Sequence, residues 1–325
     1  MLSALAVQVI ANPVVIAHRG ASGYLPEHTL EAAALAYNMG SDYIEQDLVL
    51  SRDGVPVVLH DIYLDTVTNV ATRFPDRKRD DGRYYVIDFD LAELKTLTVH
   101  ERRKPDGEQV FPNRYQGSGH FTIATFEEHI ELIQNLNRLL GRRIGMYPEI
   151  KAPAWHREAG HEISRIVIEI IRKHGLDRSD ANVYLQCFDF NEIRRIAKEF
   201  RPALPLVQLI GYRSSTTDYE HLRTEAGVKE MKEFVRGVGP AIPHMLSFED
   251  GELKPSEFAG HLARHGLEVH PYTHREDQLP PGLSSDVLLQ ALFESGATGV
   301  FTDFPDVVRA FIDQLLTPEG GDIAG

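Results

Sequence analysis

Short apolar runs alternate with stretches of helical periodicity along most of this chain. Val14, Val15, Ile16 and Ala17 form an aliphatic run of the kind that makes a buried strand, and it stops at His18-Arg19-Gly20. Gly20 and Gly23 permit a turn there, and an alanine-rich helix is predicted from about Leu30. The next strand is predicted over 42–50, a turn at Ser51-Arg52-Asp53-Gly54, and a third strand over 55–59, ending at His60-Asp61. The rhythm returns with a helix over 126–140 and a strand over 144–151. Then come a helix at 157–174, a strand at 183–188, a helix at 190–200 and a strand at 206–210. Residues 211–223 read as loop, 225–235 as helix and 237–240 as a weak strand. Helices at 256–265, 285–295 and 306–316 frame strands at 267–273 and 299–305.

Eight strong strands and one weak one, separated by helices, predict a parallel sheet with its helices outside. That number favours an α/β chain closed as a (β/α)8 TIM-type barrel over 13–316. A dinucleotide-binding sheet is disfavoured because no G-x-G-x-x-G follows the first strand. Residues 62–124 break the alternation. They are charged and turn-rich, too long for an ordinary connection, and read as an inserted small subdomain lying over the same end as the candidate site. Residues 317–325 read as a disordered tail.

Composition narrows the function. The 325 residues are 42% hydrophobic, enough for a sizeable core, and carry a net charge of −14. Such a surface repels nucleic acid and anionic membranes, so cations for a phosphate ester must be gathered locally. Cys187 is the one cysteine, which excludes an intrachain disulfide and a cysteine zinc site. No apolar run approaches the roughly 18 residues of a membrane span. Met1 to Ala11 is mildly apolar, without a basic start or clear cleavage site, and reads either as a signal remnant or as a disordered lead-in.

In a closed α/β barrel the chemistry sits at the carboxyl ends of the strands. His18-Arg19, Glu45, Asp47, His60-Asp61, Glu149, Lys151, Gln186, His270, Tyr272 and Thr302-Asp303 fall there. Strand residues two apart share a face, so Glu45 pairs with Asp47 and Glu149 with Lys151. Three carboxylates converging on one mouth repel unless a cation sits among them, and hard oxygen ligands suit Ca²⁺ or Mg²⁺ better than zinc. Other polar residues have structural readings. His270 and Tyr272 pack the mouth, Asp303 caps the helix ahead of Pro305, and His28, His100, His156 and His161 are ordinary surface or loop residues.

These residues carry a family pattern. The segments IAHRGASGYLPEHT (16–29), YIEQDLVLSRDG (43–54), VVLHDIYLDTVT (57–68), RFPDRKRDDGRYYVIDF (73–89), YPEIKAP (147–153), VYLQCFD (183–189), VHPYT (269–273) and FTDFPD (301–306) resemble the glycerophosphodiester phosphodiesterases, in particular the bacterial periplasmic type. The likeness spans nearly the whole chain. It implies an acid–base pair at His18 and His60 and metal-binding carboxylates at Glu45, Asp47 and Glu149. It further implies a substrate-binding set of Arg19, Lys151, Phe188 and Tyr272. Two positions depart from many relatives: His28 replaces asparagine and Tyr272 replaces tryptophan.

The implied activity is metal-dependent hydrolysis of small glycerophosphodiesters to sn-glycerol 3-phosphate and an alcohol, through a cyclic phosphate, with one divalent cation, most readily Ca²⁺. A homodimer is compatible with the chain; nucleic-acid binding and stable membrane insertion are not expected. The resemblance implies a periplasmic or exported protein, and a start at Met1 would imply a cytoplasmic one. A phospholipase acting on intact lipids and a catalytically silent binding protein are the alternatives on the same barrel.

Overall fold

In the computed structural model, which describes residues 12–249 and 252–316, the predicted rhythm is carried by a nearly closed barrel. The expectations for residues 1–11 and for the tail 317–325 lie outside the described residues. The strands in chain order are β1 (Val14–Ala17), β2 (Tyr43–Leu50), β3 (Pro56–Val58), β4 (Gly145–Ile150), β5 (Leu185–Cys187), β6 (Leu206–Ile210), β7 (Gly237–Pro240), β8 (Leu246–Glu249), β9 (Glu252–Pro255), β10 (Glu268–Val269) and β11 (Gly299–Thr302). Hydrogen-bonded neighbours run β10-β7-β6-β5-β4-β2-β1-β11, all parallel. β3 lies outside this path, antiparallel on β2 across the Ser51–Gly54 turn.

The seam between β10 and β11 is irregular because Pro271 has no N–H to give to a ladder. It is joined instead by Thr298 N donating to Val269 O (2.7 Å), Phe301 N to Pro271 O (2.9 Å) and His274 N to Phe301 O (2.8 Å). β7, the weak strand of the sequence, is a full member of the barrel. Its signal is faint because two of its four residues are glycine, and a Cβ on Gly239 would lie 2.5 Å from the Leu209 side chain. The predicted helix 157–174 is two helices, Pro153–Glu158 and Ile163–Lys173, separated at Gly160 with its φ of 87°. The β8–β9 hairpin was not foreseen.

The main core lies between barrel and helices, with Ile44, Leu48, Ile130, Val167, Leu289 and Val308 among its buried members. Ile16, Tyr147, Val207 and Phe301 fill the barrel interior. Residues 62–124 gather around a separate cluster that includes Leu64, Val67, Phe89, Leu97 and Ile123, anchored on Val49, Val57 and Leu59. This segment has an apolar centre of its own, seated against β2 and β3 where Val49 pairs with Val57.

Candidate active site

Parallel register sets the acidic face. Asp47 pairs with Glu149 across β2 and β4, Glu45 with Tyr147, and Glu149 with Gln186 on β5. Because register partners point the same way, Glu45, Asp47 and Glu149 all face the barrel mouth. One oxygen from each lies within 4.8 Å of the others, and all three residues are buried.

At the end of β1 the chain turns through left-handed backbone at Arg19 (φ 59°) and Gly20 (φ 80°). A Cβ at Gly20 would stand 2.8 Å from the Ala32 backbone, so only glycine lets the turn lie on the following helix. The turn aims the Arg19 N–H at Glu45 Oε2 (2.8 Å) and brings its guanidinium to Glu27 (3.0 Å) and Asp47 (3.6 Å). Lys151, two residues past Glu149, sets Nζ 2.7 Å from Glu149 Oε1 and 3.4 Å from Asp47 Oδ1.

Each of the two candidate histidines is held by a carboxylate. His18 Nδ1 lies 2.6 Å from Asp303 Oδ1, and His60 Nδ1 lies 2.7 Å from Asp61 Oδ1. An ionised carboxylate only accepts, so Nδ1 carries the proton in both rings and Nε2 is left with a lone pair. His18 Nε2 is 3.8 Å from Glu45 Oε2. Burial first, then the Arg19 charge, lowers His18 to about 4; burial, Arg19 and Lys151 also lower His60, which keeps a third of its side chain exposed.

The acids separate in behaviour. Burial and the neighbouring Asp47 and Glu149 push Glu45 well above the usual carboxylate range. Burial, only partly opposed by Lys151, pushes Glu149 up to about 8. Asp47 goes the other way: the Lys151 charge and the hydrogen bond from His28 outweigh its burial and hold it ionised. For Lys151 too, Asp47 and Glu149 outweigh burial and keep its charge on. Two carboxylates that resist ionisation beside a third whose buried Oδ1 makes no hydrogen bond are the donor set a divalent cation would satisfy.

His18, His60, Arg19, Lys151, Phe188, Tyr272, Glu45, Asp47 and Glu149 all line one cavity of about 290 Å³. Its opposite wall is apolar, built from Phe188, Leu209, Ile242, Pro243 and Tyr272. The Tyr272 hydroxyl donates to Ile210 O (2.9 Å), which fixes the ring against Phe188.

Asp303, His28, His156 and His270 differ from their sequence readings. Asp303 does not cap the last helix; it is 1% exposed, bound to His18, and accepts Arg114 and Arg275 on its other oxygen (2.7 and 2.8 Å). His28 is not a surface residue. It is buried at φ 65° and donates from Nε2 to Asp47 Oδ2 (2.7 Å). Gln186, placed at a strand end, donates to Glu45 Oε1 (3.2 Å). His156 is also fully buried, away from the mouth, and accepts the Leu50 N–H on Nε2 (3.1 Å). His270 points into the barrel interior, where Nδ1 meets the Tyr147 hydroxyl at 2.8 Å.

The sequence profile of the Glycerophosphoryl diester phosphodiesterase family matches residues 18–307. A glycerophosphodiester phosphodiesterase of Haemophilus influenzae is 44% identical over 336 residues, covering 94% of this chain and 91% of its own. A protein of the same name from Treponema pallidum is 33% identical over 341 residues, covering 96% and 95%. Among solved structures, a chain from Silicibacter pomeroyi superposes with a TM-score of 0.71 at 22% identity, over 94% of both chains. An Oleispira antarctica phosphodiesterase, solved in complex with the product sn-glycerol-3-phosphate, gives a TM-score of 0.64 at 24% identity, over 93% of this chain and 97% of its own. At these identities the structural likeness establishes the shared barrel fold.

Proposed function

This chain belongs to the glycerophosphoryl diester phosphodiesterase family, and from that premise we propose that it hydrolyses glycerophosphodiesters to sn-glycerol 3-phosphate and an alcohol, using a divalent cation and two histidines. The observation that carries the proposal is the pairing of His18 and His60, both fixed as Nδ1–H donors to a carboxylate, in one cavity with an acidic triad and two cations. The sn-glycerol-3-phosphate in the Oleispira antarctica relative supports the same substrate class.

Glu45, Asp47 and Glu149 would hold the cation, with Ca²⁺ favoured and Mg²⁺ the alternative. When bound it supplies Lewis-acid neutralisation of the phosphodiester charge. Fully ionised, the triad exceeds Arg19 and Lys151 by one negative charge, and Arg275, the third cation of the lining, is paired with Asp303, so a divalent ion leaves the mouth one charge positive and ready for an anion. Arg19, tied to Glu27 and Glu45, and Lys151, tied to Glu149, are already oriented and lose little entropy on meeting the phosphate.

The glycerol 2-hydroxyl attacks phosphorus while the Nε2 lone pair of one imidazole takes its proton. The other imidazole, charged, gives a proton to the departing head-group oxygen as the P–O bond breaks. Water then opens the cyclic phosphate with the two roles exchanged. Each proton transfer contributes about 10²–10⁴-fold. Burial keeps both rings neutral in the free protein, so the base is ready at neutral pH, and the anionic substrate favours charging the acid. Phe188 and Tyr272 form the apolar wall against which the glycerol carbons rest.

Release of sn-glycerol 3-phosphate from glycerophosphocholine, with and without chelator, tests the reading. Turnover should vanish in chelator and return with Ca²⁺; activity that survives chelation removes the metal from the proposal. An analogue lacking the glycerol 2-hydroxyl should not turn over, and full-rate hydrolysis of it would replace the cyclic route by direct attack of water. Turnover of intact phosphatidylcholine at a comparable rate would favour the phospholipase alternative. Among the described residues no helix is long and apolar enough to cross a membrane. An exported, periplasmic location belongs to the same proposal, rests on the resemblance, and is tested by cell fractionation.

A further inference from the structure

The carboxylates that hold the two histidines are themselves held in the same way. Asp61 uses Oδ1 for His60 and Oδ2 for Arg102 Nη1 (2.6 Å). Asp303 uses Oδ1 for His18 and Oδ2 for Arg114 Nη2 (2.7 Å). Both arginines come from one stretch of the 62–124 segment and reach outward to carboxylates that follow different strands, β3 and β11. Each is anchored at its far side by a second acid. Arg102 forks onto Glu27 (3.0 and 2.6 Å), and Arg114 forks onto Asp277 (2.8 and 3.0 Å) and donates to Ser22 O (3.2 Å). Arg114 is almost wholly buried, and Arg102 has little of its side chain exposed.

A planar guanidinium clamped at both ends cannot turn freely, so it fixes the plane of the carboxylate it meets. That carboxylate in turn fixes the imidazole. The guanidinium charge also keeps the carboxylate an acceptor, which holds the proton on Nδ1 and leaves Nε2 toward the cavity. We propose that Arg102 and Arg114 are positioning residues through which the inserted segment orients His60 and His18, so that the acid–base pair is complete only when this segment is docked. The inference rests on the acid–base reading given above. It makes the insertion a working part of the site and not only its cover. Asp303 has a second brace in Arg275, whereas among the described residues Asp61 Oδ2 meets Arg102 and the Thr66 hydroxyl (3.0 Å), so the His60 arm is the more sensitive.

The test is a double-mutant cycle on the full-length, Ca²⁺-loaded protein, with glycerophosphocholine as substrate. Arg102→Gln should lower kcat about 10- to 100-fold and leave KM within about threefold. Arg102→Lys, which keeps the charge but not the fork, should recover part of the loss. In a His60→Ala background Arg102→Gln should cost nothing further. An equal further loss in that background, or a rise in KM at unchanged kcat, overturns the proposal. If His60→Ala alone retains full turnover, the acid–base reading has failed and not the brace. Should Arg102→Gln fail to fold, Arg114→Lys with His18→Ala repeats the cycle. Long-range ¹H–¹⁵N spectra of the unmodified protein supply a further check: both rings should carry their proton on Nδ1, and Nε2–H on either overturns the arrangement.

Discussion

Loading the metal site should expel protons, and their number follows from the structure. With Glu149 pushed up to about 8, roughly nine-tenths of it is protonated at pH 7 in the metal-free protein. Glu45 lies well above its ordinary range for the same reasons, burial and adjacent carboxylates, while Asp47 stays ionised beside Lys151. The metal-free triad is therefore less than fully ionised at neutral pH, and a cation that takes all three oxygens displaces close to one proton from Glu149, together with whatever proton Glu45 still holds. Affinity should accordingly rise with pH, the Glu149 contribution amounting to about tenfold per pH unit below pH 8 and levelling off above it. Calorimetric titration with Ca²⁺ in buffers of different ionisation enthalpy reads the number directly as a slope. Glu149→Gln should reduce it by about one and weaken binding. A slope of zero at pH 7 would refute the reasoning, because it would mean that all three carboxylates are already ionised before the cation arrives.

Two other predictions concern groups whose protonation the fold dictates. Asp303→Asn can turn an amide N–H toward His18 and force its proton onto Nε2. Reversing the tautomer in a carboxylate–histidine pair costs up to about 10⁴-fold, so kcat should fall about 10²–10⁴-fold with Ca²⁺ affinity preserved, and a retained kcat would contradict the role given to this carboxylate. His156 is lowered to about 4, chiefly by burial; its Nε2 accepts the Leu50 N–H and its Nδ1 donates to Ala152 O (3.0 Å). A lowered histidine stabilises the fold fully above its unfolded value near 6.5 and loses that contribution as pH falls from there toward 4. His156→Gln, which can make the same two hydrogen bonds without titrating, should therefore lose about 1 kcal/mol less stability than the parent between pH 7.5 and 5.5 in denaturant titrations. Equal losses would show that the ring is not held neutral.

The parts of the site readable from the chain are those that a strand carries locally. Glu45 and Asp47 sit two apart on β2, and Lys151 stands two past Glu149 just beyond the end of β4, so period two alone puts each pair on one face. His18 stands where an aliphatic run of the parallel barrel stops, which is the catalytic end, whereas His60 reaches the same site because β3 runs back antiparallel along β2 and brings Leu59 beside Asp47. What pairing adds is invisible until the sheet closes. Asp303 looks like a helix cap because Pro305 follows it; it meets His18 only because β11 lies beside β1, with Thr302 in register with Ala17. His28 looks like a loop residue because the loop's left-handed turn, not its composition, drives the ring inward onto Asp47. β7 fades in the sequence because its glycines are chosen for closeness and not for apolarity.

Arg102 and Arg114 are harder still, since an arginine in a charged, turn-rich segment has no local mark that separates it from its neighbours Arg77, Arg79 and Arg83. Those three pair with Glu93, Asp88 and Asp65 within the insertion. The two that matter pair outside it, with carboxylates that follow β3 and β11. The division has a physical reason. A parallel barrel fixes the height and direction of side chains to within its ladder spacing, but the carboxyl ends open into loops where no ladder continues. A histidine at a strand end is thus placed by the barrel and left free to rotate. Fixing the rotation takes a carboxylate, and fixing the carboxylate takes a donor from outside the barrel. The 62–124 segment, with its own apolar cluster to make it rigid, is the part of this chain that reaches both places at once.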